Sequence, residues 1–170
     1  MGDESLVRGP KGRPTPAATV IQVENRQRIR RVTPGEIHKL INAILDRLGC
    51  TGEVGVQLVG PAAMARINWD YLRHPGSTDV ITFDHGSTPG HLYGECFICV
   101  ADAVAQSRQW GTTWEQEVGR YVIHAILHLA GYDDRDPAAR RLMKRRENTL
   151  TQRLVVAPGW RASEGAPRAA

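Results

Sequence analysis

The sequence has no long hydrophobic run, which argues against a membrane protein. Among its 170 residues, no apolar stretch approaches the roughly 20 residues that a membrane-spanning helix requires. The N-terminal segment is rich in glycine, proline and charge, and it lacks the apolar core of a secretory signal peptide. We therefore expect a cytoplasmic protein without a membrane partner.

Cysteine is also scarce. The chain has three cysteines, and an odd number cannot all form disulfides within one molecule. Cys96 and Cys99 form a C-x-x-C, but they lie in an apolar run typical of a strand. A spacing of three in a strand directs two side chains to opposite faces. No second C-x-x-C is present to complete a structural zinc site. We interpret the cysteines as buried free thiols in a reducing compartment, against the alternative of a redox or zinc motif.

The formal net charge of +4 is unevenly distributed along the chain. Residues 1–31 carry 7 basic and 3 acidic side chains, residues 32–134 carry 6 and 12, and residues 135–170 carry 9 and 3. Basic ends beside an acidic body favour a polyanionic partner such as nucleic acid, which is bound through its phosphates. The alternative is that the basic run at 140–146 is only the solvated face of a helix.

Hydrophobic periodicity predicts one domain over residues 19–156, between a flexible N-terminal extension (1–18) and a flexible basic tail (157–170). Apolar alternation or apolar runs predict strands at 19–23, 54–58, 79–85 and 93–100. Helix-start signals are found at Thr33-Pro34, Gly60-Pro61, Asp102, Thr112 with Glu115, and Asp136-Pro137. Strands and helices alternate only in part, so we expect an α+β fold, a single mixed β-sheet of about four strands packed with helices.

The candidate site lies in the segment YVIHAILHLAGYDDRD, residues 121–136. His124 and His128 are four residues apart on a predicted helix, so both imidazoles project from one face, about one turn apart. Gly131 can end this helix and return the acidic residues at 133–136 to the same face. Two histidines and one carboxylate leave an open position for water, as in catalytic metal sites. The alternative is a pair of hydrogen-bonded core histidines.

The residue after the first histidine is informative because metalloproteases of the H-E-x-x-H type carry their general base there. This chain has Ala125 at that position. A protease would lack its proton acceptor, so we expect another hydrolytic reaction and keep the protease as a disfavoured alternative.

Three blocks in the same order resemble the YbeY family, bacterial endoribonucleases that act in ribosomal RNA maturation. HAILHLAGYDD resembles the signature H-G-x-L-H-L-x-G-Y-D-H. The segment 65–83, ARINWDYLRHPGSTDVITF, is similar to the block L-N-x-x-Y-R-x-x-x-x-x-T-D-V-L-S-F, and YGECFICV at 93–100 to L-G-D-I-x-I-x. Met143 and Glu147 match the spacing of the methionine and glutamate in the family's helix that follows the signature. The resemblance covers roughly residues 19–155.

The resemblance implies a metal-dependent, single-strand-type endoribonuclease in small-subunit ribosomal RNA maturation and ribosome quality control. It implies one zinc ion bound by His124, His128 and Asp134, and catalytic roles for the two histidines. Arg73 matches the family's arginine that faces the metal across a cleft, where a guanidinium would bind a phosphate. The alternative for Arg73 is a surface ion pair with a neighbour such as Asp70. The implied partners are ribosomal RNA and either small-subunit proteins or a ribosome-assembly GTPase.

Two residues depart from the family signature. Ala125 replaces a glycine, which a helix tolerates well, and Asp134 replaces the third histidine. A carboxylate can bind zinc, but it is a harder and shorter ligand that widens the choice of metal towards Mn²⁺ or Fe²⁺. We expect Asp134 to retain the metal. The alternatives are that Asp133 is the ligand, or that the protein is a non-catalytic ribosome-assembly factor whose metal site is structural.

Overall fold

The computed structural model describes residues 18–163 of the chain. In this part the elements follow in the order β1 (Val20–Asn25), α1 (Pro34–Leu48), β2 (Thr51–Val59), α2 (Pro61–Leu72), β3 (Val80–Asp84), β4 (His91–Cys99), α3 (Val100–Trp110), α4 (Trp114–Leu129) and α5 (Pro137–Thr151). A single π-helical turn, Gln152–Val156, continues α5. None of the helices between residues 18 and 163 has both the length and the apolarity needed to cross a bilayer.

The four strands form one mixed sheet, as predicted, in the order β1-β2-β4-β3. β2 pairs in parallel with both β1 and β4, whereas β3 runs antiparallel to β4 at the edge. The parallel pairs require helical crossovers between their strands. α1 and α2 provide these connections, and the α+β class predicted from the sequence is confirmed.

Both faces of the sheet are covered by apolar side chains. The larger core lies between the sheet and helices α1, α4 and α5, and includes Cys96. The smaller one packs α2 against the other face and includes Cys99. The two thiols therefore point to opposite faces, as their spacing predicts, and both are buried and free. Burial raises the pKa of Cys96 to about 12, which keeps that thiol protonated.

Two helix starts differ from the prediction. The capping box of α4 is formed by Thr113 and Gln116, one residue later than expected. Thr112 is instead used elsewhere, since its hydroxyl donates to Glu117 at 2.6 Å and its backbone N–H closes the end of α3. α3 begins at Val100, directly after β4, so Asp102 lies in the first turn rather than at the cap.

A glycine in β4 lets α4 approach the sheet closely. A Cβ atom on Gly94 would lie 2.5 Å from the backbone oxygen of Phe83 and 2.5 Å from Leu129 Cδ2. Real Cβ atoms essentially never approach other heavy atoms so closely, so any larger residue would push α4 away. The end of α4 that contains His128 is thereby fixed against the sheet.

The first residues of the predicted tail are packed in the structure. Ala162 is fully buried, and its carbonyl accepts a hydrogen bond of 2.8 Å from the Thr33 backbone N–H. Trp160 packs against the larger core. Residues 1–17 of the predicted extension and residues 164–170 of the predicted tail lie outside the described residues.

Candidate metal centre

Helix α4 places His124 and His128 on one face, one turn apart. The opposite side of this helix is buried in the core through side chains such as Ile123 and Leu127, so the two imidazoles point to the partly open side. Their Nε2 atoms lie 3.1 Å apart, and the ring planes are nearly perpendicular. The prediction that helical spacing brings the two rings together agrees with this geometry.

The partners of the two Nδ1 atoms determine where the ring protons lie. His128 Nδ1 is 3.2 Å from the carbonyl oxygen of Tyr132, which can only accept a hydrogen bond. His124 Nδ1 is 2.8 Å from Glu147 Oε2. Both Nδ1 atoms are therefore assigned as donors, which leaves both Nε2 lone pairs facing one another.

The turn after α4 adds a carboxylate to the two nitrogens. Gly131 adopts a left-handed backbone conformation (φ 93°), and the N–H of Tyr132 returns to the carbonyl of Leu127. The chain then reverses and places Asp134 Oδ2 3.6 Å from His128 Nε2 and 3.9 Å from His124 Nε2.

Its neighbour Asp133 is engaged elsewhere. The carboxylate of Asp133 accepts hydrogen bonds from the backbone and the guanidinium of Arg135 at 2.9–3.0 Å, and these contacts lower its pKa to about 2. The structure thus brings Asp134, and not Asp133, to the histidines.

Three acceptor atoms at this separation fit one metal ion. Ligand bonds of about 2.0–2.1 Å in tetrahedral geometry place two ligand atoms about 3.3 Å apart. The observed separations of 3.1, 3.6 and 3.9 Å lie close to that value. Burial, aided by the neighbouring His124, lowers the pKa of His128 and favours its neutral, metal-binding form. With both Nδ1 atoms protonated, the two Nε2 lone pairs and the Asp134 carboxylate form a set of acceptors suited to a shared cation.

Glu147 of α5 holds the first histidine in place, and sequence reasoning assigned it no role beyond the spacing match. Its side chain is 5% exposed and also accepts hydrogen bonds from Lys144 at 2.9 Å and Arg120 at 3.2 Å. Burial opposes its ionisation, but the hydrogen bonds from His124 and Lys144 outweigh that cost and lower its pKa to about 2. Glu147 is therefore a charged acceptor that orients His124.

The metal centre opens into a cleft of about 730 Å³ that extends along α4 between α3 and α5. His124 and Asp134 lie at one end, with Arg140 and Lys144 beside them. Towards the other end lie Asp79, Gln106, Trp110, Thr112, Glu117 and Tyr121. Sequence reasoning missed these residues because they come from two helices and two loops, and no local spacing links them.

Arg73 lies at the C-terminal cap of α2, and it is not among the cleft-lining side chains of residues 18–163. Its guanidinium is 5.9 Å from the ring centroid of Trp69, which is a cation–π contact and not the ion pair with Asp70 that we considered. Its φ of 56° makes it the one non-glycine residue with positive φ in the described part of the chain.

Comparisons with known proteins agree on one family. The sequence matches the family described as Endoribonuclease YbeY over residues 22–155. It is 35% identical over 135 residues to the Endoribonuclease YbeY of Chlorobium luteolum, which covers 79% of this chain and 97% of that protein. It is 27% identical to that of Salinibacter ruber, covering 81% and 94%. The fold is similar to a solution structure from Thermotoga maritima, TM1509, with a TM-score of 0.60 and 22% identity over 87% of this chain and all of that one.

Proposed function

The chain belongs to the YbeY family, and on that premise we propose that it is a metal-dependent endoribonuclease that processes ribosomal RNA, including small-subunit precursors and defective ribosomal RNA. The observation that supports this most directly is the convergence of His124 Nε2, His128 Nε2 and Asp134 Oδ2. Because ribosomes are assembled in the bacterial cytoplasm, we expect the protein to act there.

His124, His128 and Asp134 would hold one zinc ion, and the carboxylate also suits Mn²⁺ or Fe²⁺. A metal with an open position supplies a Lewis acid and an acidified water next to the scissile phosphate. Glu147 keeps the His124 imidazole oriented with Nδ1–H donating. The position after His124 is the fully buried Ala125, so α4 offers no protease-type base there.

Cationic side chains at the same end of the cleft would bind the RNA backbone. Arg140 and Lys144 of α5 line the cleft, and the exposed Arg141 and Arg145 continue the positive charge along that helix. These residues belong to the basic C-terminal part that the sequence associates with a polyanion. They would bind phosphates without regard to sequence, so affinity should fall steeply with salt. A small-subunit protein or a ribosome-assembly GTPase as a further partner remains a prediction from the family resemblance.

The function can be tested with purified protein, structured ribosomal RNA and a chelator. We expect cleavage by metal-loaded protein, loss of cleavage with the chelator, and recovery when metal is restored. His128→Ala should lower the rate by at least a hundredfold because it removes a ligand of the metal. Cleavage that survives both chelation and His128→Ala would rule out the metal mechanism. Ribosome association without cleavage by the metal-replete protein would favour the assembly-factor alternative.

The family resemblance implies that Arg73 contacts the phosphate, and we keep this role as a proposal. A left-handed arginine costs about 1–2 kcal/mol relative to ordinary backbone, and glycine is the usual residue at such a cap. Arg73→Gly relieves this strain but adds flexibility to the unfolded chain, so the melting temperature should stay the same or rise slightly. Cleavage should nevertheless fall about tenfold or more, since a charge-assisted hydrogen bond is lost. Steady-state kinetics and thermal unfolding of Arg73→Gly and Arg73→Lys would check this. Unchanged kinetics in Arg73→Gly would remove Arg73 from the site.

A further inference from the structure

The end of the cleft away from the metal has features that the metal chemistry does not use. Glu117 precedes His124 by seven residues on α4, which corresponds to about 10 Å along the helix axis. That separation is on the scale of one nucleotide. A phosphate at the metal end would therefore leave a neighbouring base near Glu117, Tyr121 and Trp110, which line the far end.

Trp110 offers an accessible aromatic face in a fixed orientation. It is the last residue of α3, and its side chain is 67% exposed although it lines the cleft. The indole Nε1–H donates to Gln106 Oε1 at 2.6 Å, which restricts rotation of the ring. Stacking of a base on an aromatic ring is a common way of binding single-stranded RNA.

Tyr121, which lines the same cleft, has a buried hydroxyl group. Its side chain is only 6% exposed, and its hydroxyl has no hydrogen-bond partner within residues 18–163. Buried hydroxyl groups normally have a partner, so this one points to a ligand. Burial and the nearby negative charges of Asp79 and Glu117 raise the pKa of Tyr121, so the hydroxyl stays a donor.

Carboxylates beside this hydroxyl provide complementary acceptors. Glu117 is 5% exposed, and its Oε1 accepts a hydrogen bond from the Thr112 hydroxyl at 2.6 Å. Its Oε2 lies 3.9 Å from Arg120 Nε, beyond hydrogen-bond distance, so this oxygen can still accept from a base. Asp79 directly precedes β3, is exposed and also lines the cleft. Its Oδ1 accepts hydrogen bonds from the Val80 backbone N–H and the Thr78 hydroxyl, which leaves Oδ2 as the available acceptor. Acidic side chains recognise exocyclic amino groups of bases.

We infer that the far end of the cleft is a nucleobase pocket, in which a base stacks on Trp110, donates its amino group to Asp79 or Glu117, and accepts a hydrogen bond from the Tyr121 hydroxyl. Adenine and cytosine have an amino group next to a ring nitrogen that accepts, and so match this pattern. Uracil presents carbonyl oxygens on both sides of its N–H and does not match. This inference rests on the proposed function and adds a base preference to it.

The pocket can be tested by binding alone, without cleavage. The probes are fluorescently labelled 2′-O-methyl oligo(A) and oligo(U), measured by anisotropy with the full chain at fixed salt. Wild-type protein should bind oligo(A) more tightly than oligo(U). Trp110→Ala should weaken oligo(A) binding about 5- to 150-fold, the range expected for one stacked base, and Trp110→Phe should restore most of it. Tyr93→Ala is the matched control, because Tyr93 is an exposed aromatic residue on β4 outside the cleft.

Tyr121→Phe tests the hydrogen bond separately from the stacking. Removal of a hydroxyl that has no partner in the described chain should leave thermal unfolding unchanged while reducing the preference for oligo(A). Three results would contradict the proposed nucleobase pocket. Trp110→Ala could bind oligo(A) as tightly as Tyr93→Ala does, or the wild-type protein could show no preference for oligo(A) or no binding. Tyr121→Phe could also keep the full preference for oligo(A). Because no cleavage is measured, an inactive protein that passes these tests overturns the proposed function alone. An active one that fails them overturns the pocket alone.

Discussion

Asp134→Ala is expected to lower metal affinity by at least a hundredfold, or about 2.7 kcal/mol, whereas Asp133→Ala should leave it nearly unchanged. The structure places Asp134 Oδ2 within 4 Å of both histidine Nε2 atoms, while the Asp133 carboxylate is bound to Arg135. Changes to residues that only orient a ligand typically cost 10- to 100-fold, so loss of a ligand should cost at least as much. Titration of metal-free protein with Zn²⁺ and with Mn²⁺ gives both affinities.

Two further replacements separate charge from shape at the same position. Asp134→Asn keeps the size of the side chain but removes its negative charge, so it should bind metal more weakly than wild type. Asp134→His restores the residue of the family signature and should preserve or tighten zinc binding while reducing the relative affinity for Mn²⁺. If Asp133→Ala loses the metal and Asp134→Ala retains it, Asp133 is the ligand and the turn after Gly131 presents that carboxylate to the histidines.

Local sequence patterns were sufficient to predict the parts of the structure that depend on local geometry. His124 and His128 meet because residues four apart on a helix share a face, and Gly131 reverses the chain because it can adopt a positive φ. The strands and the opposite directions of Cys96 and Cys99 follow from periodicity in the same way. The mixed sheet follows from the partial alternation of strands and helices along the chain.

Other features depend on packing that no local pattern specifies. Thr112 and Thr113 are both suitable caps for α4, and the choice between them depends on Glu117, which binds the Thr112 hydroxyl. Glu147 reaches His124 only because α5 packs against α4, 23 residues further along the chain. Arg73 was expected to face the metal across a cleft, but its local partner is an aromatic ring on its own helix. Long-range contacts of this kind require the fold itself.

Glu147→Ala is expected to weaken metal binding about 10- to 100-fold without removing any ligand, because His124 loses the acceptor that fixes its Nδ1–H. Glu147→Gln can still accept that hydrogen bond but carries no charge, so it should recover part of the loss. Both variants also remove the buried carboxylate that pairs with Lys144 and Arg120, although Arg120 keeps Glu117 at 3.9 Å. This loss should lower the free energy of unfolding by about 1–2 kcal/mol in metal-free protein. Metal titration and chemical unfolding of the metal-free variants measure the two effects separately.

Glu115→Ala provides the control that distinguishes positioning from general stability. Glu115 also lies on the margin of the core, is similarly buried, and pairs with Arg161 at 3.4 Å, but it is at the opposite end of α4 from His128. We expect Glu115→Ala to lower stability by a similar amount and to keep the affinity for metal. Equal loss of metal affinity in Glu115→Ala and Glu147→Ala would show that the site responds only to the stability of α4. The other outcome is a loss confined to Glu147→Ala, with partial recovery in Glu147→Gln. That result would show that the site depends on the buried carboxylate from α5, because the two histidines on α4 do not fix their own orientation.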